Sequence, residues 1–240
     1  MYRRTVGQRT LTFGVSGKLW RNALVMYDRE TSSLWSHLTG KCIWGAFEGE
    51  KLEMVTSVPK IKWKDWHALH PTTKVLTVQD EEYVRHDNYA EYHKSRRTGL
   101  FETERVDDRL REKDLVIGVI ANGQHKAYPL NKKYWKTKEK KQWQLVQDML
   151  GEMPIVVFHD PDMHATGVFD RRLEDETVVE FVGRTDGHQG IDSDGGRWNL
   201  LTGSGPAGHA LKSIPHMNVY WFAWSDFYPQ TLLWITKGTK

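Results

Sequence analysis

The chain predicts an α+β fold, mainly β: two pseudo-repeated antiparallel-sheet units with short helices, the first unit truncated at its N-terminus. Three observations predict it. Trp35-Ser36-His37-Leu38-Thr39-Gly40 lies over Trp198-Asn199-Leu200-Leu201-Thr202-Gly203, and each block is followed five residues later by Gly45 or Gly208. Trp63, Trp66, His70, Pro71 and Thr73 repeat, without a gap, the spacing of Trp221, Trp224, Tyr228, Pro229 and Thr231. Arg4 and Phe13 are nine residues apart, as are Arg172 and Phe181. Repeats of this length mean two copies of one unit, not a solenoid. Several of the eleven tryptophans fall at equivalent positions, as packing of two similar cores requires.

Residues 10–15 alternate in strand fashion and run into the turn formers Gly14 and Gly17. Residues 23–27 are a short run of strand formers, 28–33 a turn, and 34–38 another strand. Trp63, Trp66 and Leu69 lie three apart, which fits one or two helical turns stopped by Pro71. Residues 79–113 are crowded with charge and lack a period. They read as the connection between units, with Tyr83, Tyr89 and Tyr92 as anchors. Asn122-Gly123 between two strand-like runs, 115–121 and 124–130, is the strongest local hairpin signal. In 131–150, Trp135, Trp143, Val146 and Leu150 can share a helical face, and Gly151 is a natural stop. Residues 154–158 read as a buried strand. The expected organisation is a first repeat at 1–78, a connection at 79–113, and a second repeat with its hairpin–helix–strand preface at 114–240.

The first copy begins almost at the point equivalent to Arg171-Arg172, so relative to the second it lacks roughly fifty residues of preface. The expectation is a vacant sheet edge beside the strand holding Phe13, open to an edge-strand homodimer. A net charge of +3 is too small to imply a nucleic-acid partner. Cys42 is the single cysteine, which excludes an intramolecular disulfide. No apolar stretch is long enough to span a bilayer, and residues 1–6 lack the apolar core of a secretory signal, so a soluble chain is expected. There is no nucleophile elbow, phosphate loop, dinucleotide fingerprint or Cys-x-x-Cys.

Phe13-Gly14-Val15-Ser16-Gly17-Lys18-Leu19, then Met26-Tyr27-Asp28-Arg29, Thr31, Ser33-Leu34-Trp35-Ser36 and Thr39-Gly40, resemble the DUF3179 family, a domain of unknown function. The similarity continues through Trp66, Pro71, Val75, Val116, Gly118-Val119 and Ala127-Tyr128-Pro129. It ends at Phe222-Ala223-Trp224, Phe227-Tyr228-Pro229 and Thr231. The resemblance implies exported bacterial relatives that carry a Cys-Pro-Leu-Cys element, sometimes with selenocysteine, ahead of the point where this chain begins. The corresponding place in the second repeat is Asp160-Pro161-Asp162-Met163, which keeps the proline and has no thiol. Thiol chemistry is therefore not carried over to this chain.

Two constellations are candidate sites. Asp28, Arg29, Thr31, Ser33 and Trp35 belong to the most specific motif and read either as a polar binding pocket or as an Asx turn. The turn reading is favoured, because Asp192 keeps the acid and the second repeat loses the arginine. His159, Asp160, Asp162 and His164 are the densest cluster of metal-ligand types, suited to a transition metal, although their spacing matches no zinc signature. His67 and His70 read as packed rings, since His70 takes the place of Tyr228. The lysines between 132 and 141 read as a solvated face. The expected function is a non-catalytic binding or scaffold module with an unidentified small ligand or protein partner. The alternative is a metal-dependent or redox enzyme, or an inactive fragment of one, centred on the 159–164 loop.

Overall fold

A computed structural model describes the chain except for residues 58–59, 77–88, 100, 102, 135–143, 186–187 and 236–240. The architecture is mainly antiparallel β with few short helices, as expected. The hairpin β1 (Thr5–Val6) and β2 (Arg9–Thr10) opens the chain. A four-stranded meander follows: β3 (Phe13–Trp20), β4 (Ala23–Asp28), β5 (Leu34–Ser36) and β6 (Cys42–Trp44). Gly14 does not end a strand: it lies inside β3, against the Tyr27 ring. Helix α1 (Trp63–Leu69) and the five-residue α2 (Ala90–Lys94) lead to the second half. In the connection, the Tyr92 ring meets Tyr220 edge-on at 6.3 Å, so this anchor forms; Tyr83 lies outside the described residues.

The hairpin β7 (Leu115–Ala121) and β8 (Gln124–Pro129) turns at Asn122 and Gly123, both at positive φ (48° and 74°). β9 (Gln144–Leu150), β10 (Met153–Asp160) and β11 (Ala165–Asp170) form the next sheet, joined at its edge by β15 (Lys212–Ser213). β10 is central, and every residue from Pro154 to Asp160 is buried, which explains its unbroken apolar run. The meander β12 (Phe181–Thr185), β13 (Gln189–Asp192) and β14 (Arg197–Asn199) is a third sheet. β16 (His216–Tyr220) pairs β7 and runs into α3 (Trp221–Phe227). The chain returns as β17 (Leu232–Leu233), parallel to β8.

Among the described residues of 131–150, the expected helix is not found. Lys132–Tyr134 is one 3-10 turn, and 144–150 is the strand β9. Val146 and Leu150 lie four residues apart, a spacing that satisfies both the helical and the two-residue period. Trp135 and Trp143, which argued for the helix, lie outside the described residues.

Local geometry recurs at the positions that the sequence repeat pairs. Trp35 and Trp198 both sit on the third strand of a meander, fully or almost fully buried. Each indole donates to an aspartate ending the second strand: Trp35 to Asp28 at 2.9 Å, Trp198 to Asp192 at 2.7 Å. Gly40 and Gly203 both close turns at positive φ. The amides of Leu52 and Leu211 donate to their carbonyls, each at 2.9 Å. Trp66 donates to Thr73 at 3.0 Å and Trp224 to Thr231 at 2.8 Å. The Trp66–His70 and Trp224–Tyr228 rings meet at 4.2 and 4.4 Å, inclined by 42° and 43°. His70 thus takes the ring contact that tyrosine makes in the second half, but both His70 and His67 are exposed, so neither is a packed core ring.

The first half departs from the second at two points. Trp66 is only half-buried, because the first half has no counterpart, among the described residues, to the hairpin that covers Trp224. The sheet edge beside Phe13 is open, but it is not peculiar to the first half. β3 is the outer strand of its sheet, but so is β12, and β10 belongs to a different sheet.

Candidate functional site

Asp28 ends β4 fully buried. Its Oδ1 accepts the Thr31 amide at 2.6 Å and the Thr31 hydroxyl at 2.7 Å, while Oδ2 takes the Trp35 indole. The Thr31 and Ser33 hydroxyls meet at 2.6 Å. Burial alone raises the Asp28 carboxyl, but the Trp35 and Thr31 hydrogen bonds outweigh it and hold it below the usual carboxylate value. Arg29 leaves this group: it is exposed, lies over the Tyr27 ring at 5.5 Å, and donates to the Tyr27 hydroxyl. Asp28, Thr31, Ser33 and Trp35 therefore form a closed turn whose carboxylate is already occupied.

At the 159–164 loop, Asp160 is fully buried, and its Oδ1 caps the loop by accepting the amides of Asp162 (2.8 Å) and Met163 (3.2 Å). Among the described residues no group of three or more His, Cys, Asp or Glu is arranged to hold a metal ion, so His159, Asp160, Asp162 and His164 do not assemble as a ligand set. The loop brings in residues that the sequence did not single out. His188 Nδ1 lies 3.2 Å from Asp160 Oδ2, and both His188 and His164 hold positive φ (68° and 60°). α1 of the first half docks here: the Lys62 amide donates to the Met163 carbonyl at 3.0 Å, and its ammonium reaches the Asp162 carbonyl. Burial, with His164 nearby, pushes His159 down to about 4, so this ring stays neutral near pH 7.

A second seam joins the halves. Ser57 and His216 exchange hydrogen bonds, with the Ser57 hydroxyl donating to the His216 carbonyl at 2.9 Å and accepting its amide at 2.6 Å. Beside this seam opens a cleft of about 320 Å³. Tyr2, Leu38, Thr39, Lys51, Leu52, Glu53 and Met54 line it from the first half, and Ile120, Pro215 and Tyr228 from the second. The Tyr2 hydroxyl is tied to the Leu38 carbonyl at 2.9 Å, which fixes that wall. Tyr228 is held between Trp224 and His125, whose ring stacks on it at 4.5 Å. Burial pushes the Tyr228 phenol up to about 12, so it is a protonated donor at neutral pH. Burial, with Lys51 nearby, lowers His125. Glu53 pairs with Arg3 at 3.0 Å, and both side chains are exposed. The cleft combines apolar walls, a phenol and a cation, the usual make-up of a small-molecule site where two units meet.

Sequence reasoning missed this cleft because its residues come from distant segments, and although Leu38, Thr39 and Tyr228 lie in the repeat blocks, the repeat does not say which segments face each other. No curated protein and no solved structure matches the chain. A family model does match, over residues 1–231 of 240, across both halves and the segment between them. The chain belongs to DUF3179, a family of proteins of unknown function.

Proposed function

We propose that the chain is a non-catalytic binding module, built from two copies of one unit, that takes a small ligand in the cleft between them. The carrying observation is that the protonated Tyr228 phenol and the Lys51 ammonium line one apolar-walled cleft. That chemistry suits a flat, largely apolar molecule with one carboxylate. The phenol donates to the carboxylate, Lys51 pairs with its charge, and Leu52, Met54 and Ile120 cover the apolar body. The metal or redox alternative at the 159–164 loop has less support, because Asp160 spends Oδ1 on capping its own turn and no group of three ligand-type residues gathers there among the described residues. An edge-strand homodimer through β3 is also less supported, since β12 presents an outer edge of the same kind.

Titration with 2-naphthoate, followed by backbone amide resonances, tests the reading. Saturating shifts are expected at Thr39, Lys51 and Ile120. Lys51→Glu should weaken binding about tenfold, equivalent to about 1.4 kcal/mol. Equal binding of the neutral 2-naphthalenemethanol, or shifts confined to residues outside the cleft, contradicts it.

A further inference from the structure

Helices α1 and α3 form an internal comparison in which one term differs. Both have seven residues, both follow an extended residue, and both end on caps with nearly equal angles (φ −134° and −128°, ψ 70° in each). Both make the same Trp-to-Thr hydrogen bond and the same ring contact. Their covers differ. The β7–β8 hairpin fills the sheet between β16, which enters α3, and β17, which leaves it. Gly118 of β7 lies against Trp224 so closely that a Cβ there would come within 2.3 Å of the indole. Six of the seven α3 residues are buried, including Trp221 at 0% exposure.

α1 buries none of its residues. Trp63, the position matching Trp221, is 51% exposed, and Leu69, Val75 and Leu76 are exposed with it. Among the described residues no strand pairs with the segment leaving α1. Apolar side chains gathered on one exposed helix and its exit mark an interaction surface.

Charge narrows the chemistry of the cover. Lys60, Lys62, Lys64 and Lys74 are exposed around α1, with the Lys62 ammonium already on the Asp162 carbonyl, against the half-buried Asp65. The matching positions in the second half are Asn218, Tyr220, Phe222 and Leu232, which are uncharged. A partner for α1 must therefore carry acidic residues where the β7–β8 hairpin meets none of these cations.

The geometry points to α1 as the docking face for a β-hairpin of another polypeptide. That hairpin is apolar and β-branched on its inner side, carries glycine over Trp66, and is acidic at its rim. It lies over the exposed Trp63–Leu69 face beside residues 74–76, as β7–β8 lies over α3 beside β17. This stands independently of the reading of the cleft.

The test uses the full chain and three peptides spanning residues 112–131 of this sequence. Each is closed by a disulfide across its ends, because an open hairpin is marginal in water, and its fold is verified by cross-strand contacts before use. One peptide has the parent sequence, one carries Gln124→Glu with Lys126→Glu, and one adds Gly118→Val to that pair. The readout is amide exchange over 63–69 with the Trp63 and Trp66 indole resonances. The expected result is saturable protection of 63–69, at least fivefold tighter for the acidic peptide than for the parent and weakened by salt. The Gly118→Val peptide should lose it, as should a chain carrying Trp63→Ser and Leu69→Ser. Absence of protection by any folded peptide overturns the proposal, as does binding indifferent to Gly118→Val. Self-association of the peptide-free chain through α1 also overturns it, by giving the face to a second copy.

Discussion

Asp28 and Asp192 each spend both carboxylate oxygens inside their own half, one on a tryptophan indole and one on turn groups. The Trp198 hydrogen bond, against an opposing effect of burial, holds Asp192 low as the Trp35 and Thr31 bonds hold Asp28 low. A carboxyl depressed in the folded state stabilises above its unfolded value. That contribution is lost as pH falls through the folded value. Stability should therefore drop on the acid side of the ordinary carboxylate range, and Asp192→Asn should flatten that limb in urea titrations at several pH values. Asp192→Ala should cost about 2–4 kcal/mol near pH 7, because it strands a buried indole N–H and two turn amides. His159 adds a separate window. Its folded value of about 4 lies below the ordinary 6.5. The unfolded chain thus takes up a proton first, and stability falls as pH drops from 6.5 towards 4; His159→Gln should reduce that slope, with the rest coming from His125, His188 and His216, which burial also lowers. The recurrence of the acids was legible in the sequence. Their indole partners were not, because each pair is brought together by a turn between strands, and the two separations, seven and six residues, differ.

α1 and α3 show how far an element's sequence determines its burial. The Trp-x-x-Trp spacing and the stopping proline identify both helices, and both form. Their burial is decided elsewhere, by a hairpin that sequence spacing cannot assign to one helix or the other. Trp224→Ala should cost about 3–5 kcal/mol, since it empties a fully enclosed site. Trp66→Ala should cost about 1–2 kcal/mol, since that ring is already half in solvent. Equal costs in chemical denaturation would mean that the cover contributes nothing. The misread stretch at 131–150 teaches the converse. An apolar pair four residues apart does not distinguish helix from strand, and the pairing of β9 with β10 decides it.

Over the whole molecule, the two halves meet at Ser57–His216, at Lys62 with the 162–163 loop, and around the cleft that Tyr2 and Tyr228 share. No helix among the described residues is long and apolar enough to cross a membrane. The mainly β class was legible because β-branched runs and Asn-Gly turns report local structure. The cleft was not, since it exists only once the halves are apposed. The account's central claim is that the halves are copies of one unit that differ in cover. Residue-resolved amide exchange of the full chain tests it most directly, by comparing 63–69 with 221–227. The account predicts that the α3 amides exchange only through opening close to global unfolding, and that the α1 amides exchange at least a hundredfold faster, about 2.7 kcal/mol less protected. Equal protection of the two helices, in a chain shown by sedimentation to be monomeric, would contradict it.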